Sequence, residues 1–193
     1  MVFTTVNTVG TMLSNAGSVH IDDRAMGKLA VQTLLSRGHT KIAIFGGARD
    51  GMDSLAERYA GALEAFHDYG LIFDESRYVE TRFSLKGGYD STRAHFAVKG
   101  DTTAIFAMSD NVALGAIRAL HDMGKRVPED VSVMGFDGIE MGKYFRPRLT
   151  TIEQPVQEIA RASVEVLLDM LDHGAPPRHV LVDAILHLRD SVR

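Results

Sequence analysis

Three residues of unlike chemistry, Phe83, Ser109 and Asp137, each stand just past the carboxyl end of a short apolar or β-branched run, and a fourth, Arg58, lies in the first turns of the helix that follows the loop 46–53 after another such run. In an open parallel sheet that edge is where loops and helix N-termini converge, and where ligands bind. A cation, an aromatic ring, a hydroxyl and a carboxylate suit a polar, hydroxyl-rich small molecule, which needs a ring to stack on and charged groups to hydrogen-bond. The set reads as a binding site rather than a catalytic one. Each residue also has a plainer reading. Arg58 could sit in a surface salt bridge, although a cation in the first turns of a helix opposes the macrodipole. Phe83 could be core. Asp137, which precedes Gly138, could cap a turn. Asp110, beside Ser109, is assigned to capping the helix that follows it.

Catalytic templates find no match. The loop Gly46-Gly47-Ala48-Arg49-Asp50-Gly51 follows a strand but fits neither a dinucleotide fingerprint nor a P-loop. The eight His residues are dispersed without metal-ligand spacing, and no nucleophile elbow occurs. The expectation is no enzyme, no cofactor and no metal site.

The elements that must position these residues alternate between strand-like runs and amphipathic helical patterns closed by glycine, the signature of a parallel α/β sheet with helices on both faces. Asp22 or Asp23 caps a helix that stops at Gly38, and the run Ile42 to Phe45 follows. Ser54 with Glu57 forms a capping box for a helix that ends at Gly70. A short strand is expected at Tyr78 to Thr81, then a helix after Ser84 weakened by Gly87 and Gly88. Ala104 to Met108 is a buried strand, followed by a helix ending at Gly124 and a strand at Val131 to Phe136. The chain closes with an extended piece at Thr150 to Ile152, a long helix from Val156 to Asp172, and two strands at His179 to Val182 and Ile185 to Leu188. Thr8 to Ser18 reads as a loop.

Composition sets outer bounds. The 193 residues are 45% hydrophobic and 24% charged, enough for one sizeable core or two small lobes. A net charge of -4 and scattered cations leave no footprint for a phosphate backbone, so this chain alone should bind nucleic acid poorly. The lack of Cys fits a reducing compartment. The first twenty residues do not read as a secretory signal and no apolar run is long enough to span a bilayer, so a cytoplasmic protein with no membrane contact is expected.

Several stretches together resemble the core of LacI/GalR transcriptional regulators. They are Val-His-Ile-Asp-Asp-Arg-Ala-Met-Gly with Leu-Leu-Ser-Arg-Gly-His-Thr-Lys-Ile-Ala within 19–43, and Glu-Arg-Tyr-Ala-Gly-Ala-Leu at 57–63. Ser-Asp-Asn-Val-Ala-Leu-Gly-Ala-Ile-Arg-Ala-Leu at 109–120 and Pro-Glu-Asp-Val-Ser-Val-Met-Gly-Phe-Asp at 128–137 follow. The last are Pro-Arg-Leu-Thr-Thr-Ile-Glu-Gln-Pro at 147–155 and the tail Leu-Arg-Asp-Ser at 188–191.

The resemblance implies a type I periplasmic-binding-protein-like fold, in which two α/β lobes joined by three crossings bind an effector between them. The crossings are expected near Asn15 to Ile21, Thr150 to Gln154 and Pro176 to Val180. Residues 1–18 would be a remnant of the N-terminal lobe, 19–151 the C-terminal effector-binding lobe, 152–177 a helix returning to the N-terminal lobe, and 178–193 closing strands of the C-terminal lobe. One lobe would be whole and the other partial, with the helix-turn-helix headpiece absent. The family's effector contacts fall on Arg58, Phe83, Ser109 and Asp137, with Ser54 as a further ligand residue. Side-by-side homodimer contacts would include Leu114, Ile117 and Tyr144. The implied partners are a sugar or related metabolite, a second copy of the chain, and operator DNA through the headpiece. The alternative function is the sugar-binding protein of a transport system, which shares the fold.

Overall fold

The computed structural model describes residues 1–5, 15–48 and 53–193. In chain order its elements are β1 (Val2–Thr4), β2 (Gly17–His20), α1 (Asp23–Leu35), β3 (Ile42–Gly46), α2 (Asp53–Asp68), β4 (Tyr78–Glu80), α3 (Leu85–Val98), β5 (Ala104–Ala107) and α4 (Asp110–Asp122). These are followed by β6 (Ser132–Asp137), α5 (Met141–Tyr144), β7 (Thr150–Glu153), α6 (Val156–Asp172), β8 (His179–Leu181) and β9 (Ile185–His187).

Six strands form one sheet in the order β4-β3-β5-β6-β7-β9, parallel except that β9 runs antiparallel to β7. The sheet is buried on both faces because alternate residues of its strands point into two cores. Ile42, Ile44, Phe106, Met134 and Phe136 pack with α1 and α2, whereas Ala43, Phe45, Ile105, Ala107 and Val133 pack with α3 and α4. A smaller parallel sheet, β1-β2-β8, carries α6 against it and shares the first core through Val19, Ile159, Val166 and Val182.

The chain passes between the two sheets after β2, after β7, and between β8 and β9. The third passage differs from the expectation. The strand expected among the closing strands of the larger lobe, at His179 to Val182, pairs instead with β2, so the passage follows it rather than preceding it. Only β9 closes the large sheet. A three-residue strand carries too little pattern to say which sheet it will join.

Two of the caps also moved. Asp22 caps α1 as expected, its carboxylate accepting from Ala25 N at 2.8 Å. Ser54, expected as the cap of α2, is instead the second residue of that helix, and the cap position lies outside the described residues. Asp110 is not a cap either: Ser109 holds that position and Asp110 is the first residue of α4, with its carboxylate turned away from the helix.

α3 is a full 14-residue helix despite Gly87 and Gly88. Here the glycine is a packing device, since a Cβ at Gly88 would collide with the Val112 backbone of α4, and one at Gly115 with that of Leu85 in α3. Gly27 and Gly61 do the same for α1 and α2, against Arg58 and Arg24. Close backbone approach in both helix pairs compensates for the low helix propensity.

Candidate functional site

Four of the five expected ligand residues meet around one hollow of about 170 Å³, lined by Thr5, Ser54, Leu55, Arg58, Phe83, Met108, Asp137 and Gln154. The larger sheet and its helices supply most of the wall. Thr5, just past β1, comes from the smaller sheet, and Gln154 from the passage between them. The hollow shares Thr5, Asp137 and Gln154 with a wider groove of about 890 Å³ that runs along the start of α6. Ser54 also borders a second recess, of about 240 Å³, beside His20, Asp23 and Glu57. The site is thus a cleft between two sheets.

Arg58, in the second turn of α2, is buried. Its Nε donates to Asp23 Oδ1 at 2.7 Å, its Nη1 donates to the Met108 carbonyl at 3.1 Å, and its guanidinium carbon lies 3.7 Å from the centre of the Phe136 ring. A buried cation needs a counter-charge, and Asp23 supplies it. Burial pushes the Asp23 carboxyl up from its ordinary value, and Arg58 pulls part of that back.

Asp137 ends β6 with φ at 112°, in the left-handed region that residues with a Cβ rarely occupy. Its Oδ1 accepts from Gln154 Nε2 at 2.8 Å. Burial raises its carboxyl above the usual range, while the Arg58 charge and hydrogen bonds from Gln154 and Ser109 act the other way. Phe83 lies at the rim, 41% exposed.

Ser109 does not line the hollow. It is buried and its hydroxyl bonds Asp137, a residue that does line it. Sequence reasoning missed Thr5, Leu55, Met108, Gln154 and the role of Asp23. Asp23 had one available signal, because of two adjacent acidic residues at a helix start only one can cap, leaving the other to find a partner. Thr5 and Gln154 had none, since only the meeting of the two sheets brings them in.

The dimer contacts need correction as well. Leu114 is fully buried in the core on the α3–α4 side, and Ile117, in the same core, is only 4% exposed, where it borders a surface recess beside His121 and Arg146. Tyr144 is 79% exposed.

A cation flanked by two carboxylates, with an amide and a ring at the rim, can donate to and accept from vicinal hydroxyls while stacking on an apolar face. Among the described residues, no three His, Asp or Glu side chains gather to hold a metal ion, and no helix is long and apolar enough to cross a membrane.

The two-sheet α/β architecture with its cleft defines a class of ligand-binding proteins. The chain belongs to the periplasmic binding protein-like domain family, whose model matches residues 31–192. Its relatives are LacI-type regulators, in agreement with the resemblance in the sequence. It is 33% identical over 192 residues to the HTH-type transcriptional regulator MalR of Clostridium butyricum, covering 99% of this chain and 57% of that protein. It is 33% identical over 162 residues to the HTH-type transcriptional repressor PurR of Vibrio atlanticus, covering 84% of this chain and 48% of that one. The chain therefore spans about half the length of the curated relatives it matches.

Among solved structures, the transcriptional regulator CelR in complex with cellobiose superposes with a TM-score of 0.91 at 30% identity, over 98% of this chain and 58% of that one. A LacI family transcriptional regulator from Enterococcus faecium with bound ribose gives a TM-score of 0.88 at 30% identity, over 99% of this chain and 69% of that one.

Proposed function

We propose that this chain is the effector-sensing core of a transcriptional regulator: it binds a small hydroxyl-bearing molecule, a sugar or related metabolite, in the cleft between its two sheets. The carrying observation is the convergence of Arg58, Asp137, Ser54 and Phe83 with Thr5 and Gln154 around one hollow that both sheets wall. A ligand there contacts both sides at once. It therefore favours one relation of the two sheets over others, and differential binding of that kind is what can shift a regulator between states.

In the whole protein the readout is operator affinity of a DNA-binding headpiece, in a cytoplasmic homodimer in which Tyr144 is a candidate contact. The lobes are assigned as the β1-β2-β8 sheet with α6 on one side, and the six-stranded sheet with α1 to α5 on the other.

Thermal melts against sugars, sugar phosphates, polyols and purines test this, because a ligand that binds only the folded state raises the midpoint by mass action. Asp137→Asn and Phe83→Ala are the informative variants, since Arg58→Ala would also strand the buried Asp23. Asp137→Asn should weaken binding by about 1.5 to 3 kcal/mol, the scale of a charged hydrogen bond. Calorimetry showing unchanged affinity in both variants would refute the site.

A further inference from the structure

The turn that carries Asp137 is held from behind by a carboxylate that does not line the cleft. Asp110 is fully buried at the start of α4. Its Oδ2 accepts from the Ile139 amide at 2.8 Å, a backbone hydrogen bond from Gly138 joins it, and its Oδ1 accepts from the Thr151 hydroxyl of β7 at 2.6 Å. Room for this carboxylate exists only because residue 135 is glycine, where a Cβ would collide with Asp110 Oδ1.

These bonds are not those of a helix cap. A capping side chain turns back to the free amides of its own helix, whereas this one turns across the sheet; the cap residue Ser109 makes no side-chain bond to α4, and the Asp110 amide donates to the Asp137 carboxylate. Two successive amides directed at one anion are what hold a tight turn in an uncommon backbone conformation, here φ of 112° at Asp137 and 77° at Gly138. The same carboxylate reaches β7, whose continuation brings Gln154 to Asp137.

We propose that Asp110 is the positioning residue of the cleft: by accepting from the 138–139 amides and from Thr151 it fixes the turn, and with it the place where the Asp137 carboxylate meets a ligand. This rests on the reading of Asp137 as a ligand contact, but the turn can be tested with no ligand present.

The test follows the Gly138 and Ile139 amide resonances of the labelled chain from about pH 5 to about pH 8. Burial pushes the Asp110 carboxyl up to about 7, with Asp137 the charged group facing it. Both amides should therefore shift with an inflection near that pH. The inflection should vanish in Asp110→Asn and survive in Asp137→Asn. An inflection that survives the first substitution, or is lost only with the second, overturns the proposal. Should Asp110→Asn fail to fold, Thr151→Val removes only the hydroxyl that favours the charged form. It should move the inflection upward with the rest of the spectrum native, and no movement overturns the proposal.

For any sugar whose binding Asp137→Asn weakens, Asp110→Asn should weaken it about tenfold as well. Unchanged affinity there removes the positioning role. If no sugar binds the wild type, the effector reading fails while the amide titration still decides the turn.

Discussion

Arg58 joins the packing of the fold to the wall of the cleft. Its Nε and Nη1 are committed to Asp23 and the Met108 carbonyl, and its guanidinium rests on Phe136. Removing it would leave Asp23 buried without a counter-charge, a loss of about 3 to 5 kcal/mol of stability. A denaturation midpoint measured beside the ligand affinity separates the two roles. Asp110 gives a pH prediction at the same scale. Its native carboxyl is raised to about 7 from 3.8 for an unperturbed aspartate, so the folded chain holds a proton that the unfolded chain has released. That contribution is complete below about pH 4 and is lost as pH rises towards 7. Asp74, Asp101 and Asp130, held at about 2 by their hydrogen bonds, act with the opposite sign and only at lower pH. The melting temperature of the wild type should therefore fall, relative to Asp110→Asn, between about pH 5 and about pH 8. Parallel profiles for the two proteins would contradict it.

At the scale of elements, two helix pairs are built on reciprocal glycines, Gly27 with Gly61 and Gly88 with Gly115. Alanine in a helix is normally better than glycine by about 1 kcal/mol. In Gly115→Ala that gain is outweighed, because the new methyl meets the Leu85 carbonyl and the helices must part, at a cost of about 1 to 3 kcal/mol. Urea unfolding should show a net loss for Gly115→Ala. Gly100→Ala, where a Cβ meets only the Phe96 carbonyl at 3.7 Å, should show none. From the sequence Gly87 and Gly88 look like weaknesses in α3, since propensity is local and the approach of α4 is not. α6 is the opposite case: its bounds at Val156 and Asp172 are legible because a long amphipathic period ends at breakers on both sides.

Across the whole molecule, the burial is uneven. β3, β5 and β6 are enclosed by helices on both faces, while α6 buries only Ile159, Ser163 and Val166 and leaves Val164, Leu167, Leu168 and Leu171 exposed. Amide exchange should follow this division, with β8 and α6 exchanging at least about tenfold faster than the central strands. Equal protection throughout would show that the two sheets open only together. If the cleft binds a ligand, saturation should slow exchange on both sides of it, because Thr5 and Gln154 lie across from Arg58 and Asp137.

The sequence by itself determined the parallel α/β architecture, because alternation within short strands and glycine-closed amphipathic helices are local patterns that report which face is buried. It also marked Arg58, Phe83 and Asp137, because residues at the carboxyl ends of parallel strands converge wherever such a sheet forms. Only the tertiary structure decided that Leu114 and Ile117 face inward, that β8 joins the smaller sheet, that Ser109 stands behind Asp137, and that Asp110 reaches across to the 138–139 turn in place of capping a helix. Each of these depends on what a residue meets from a distant part of the chain, and the spacing of neighbouring residues carries no record of that meeting.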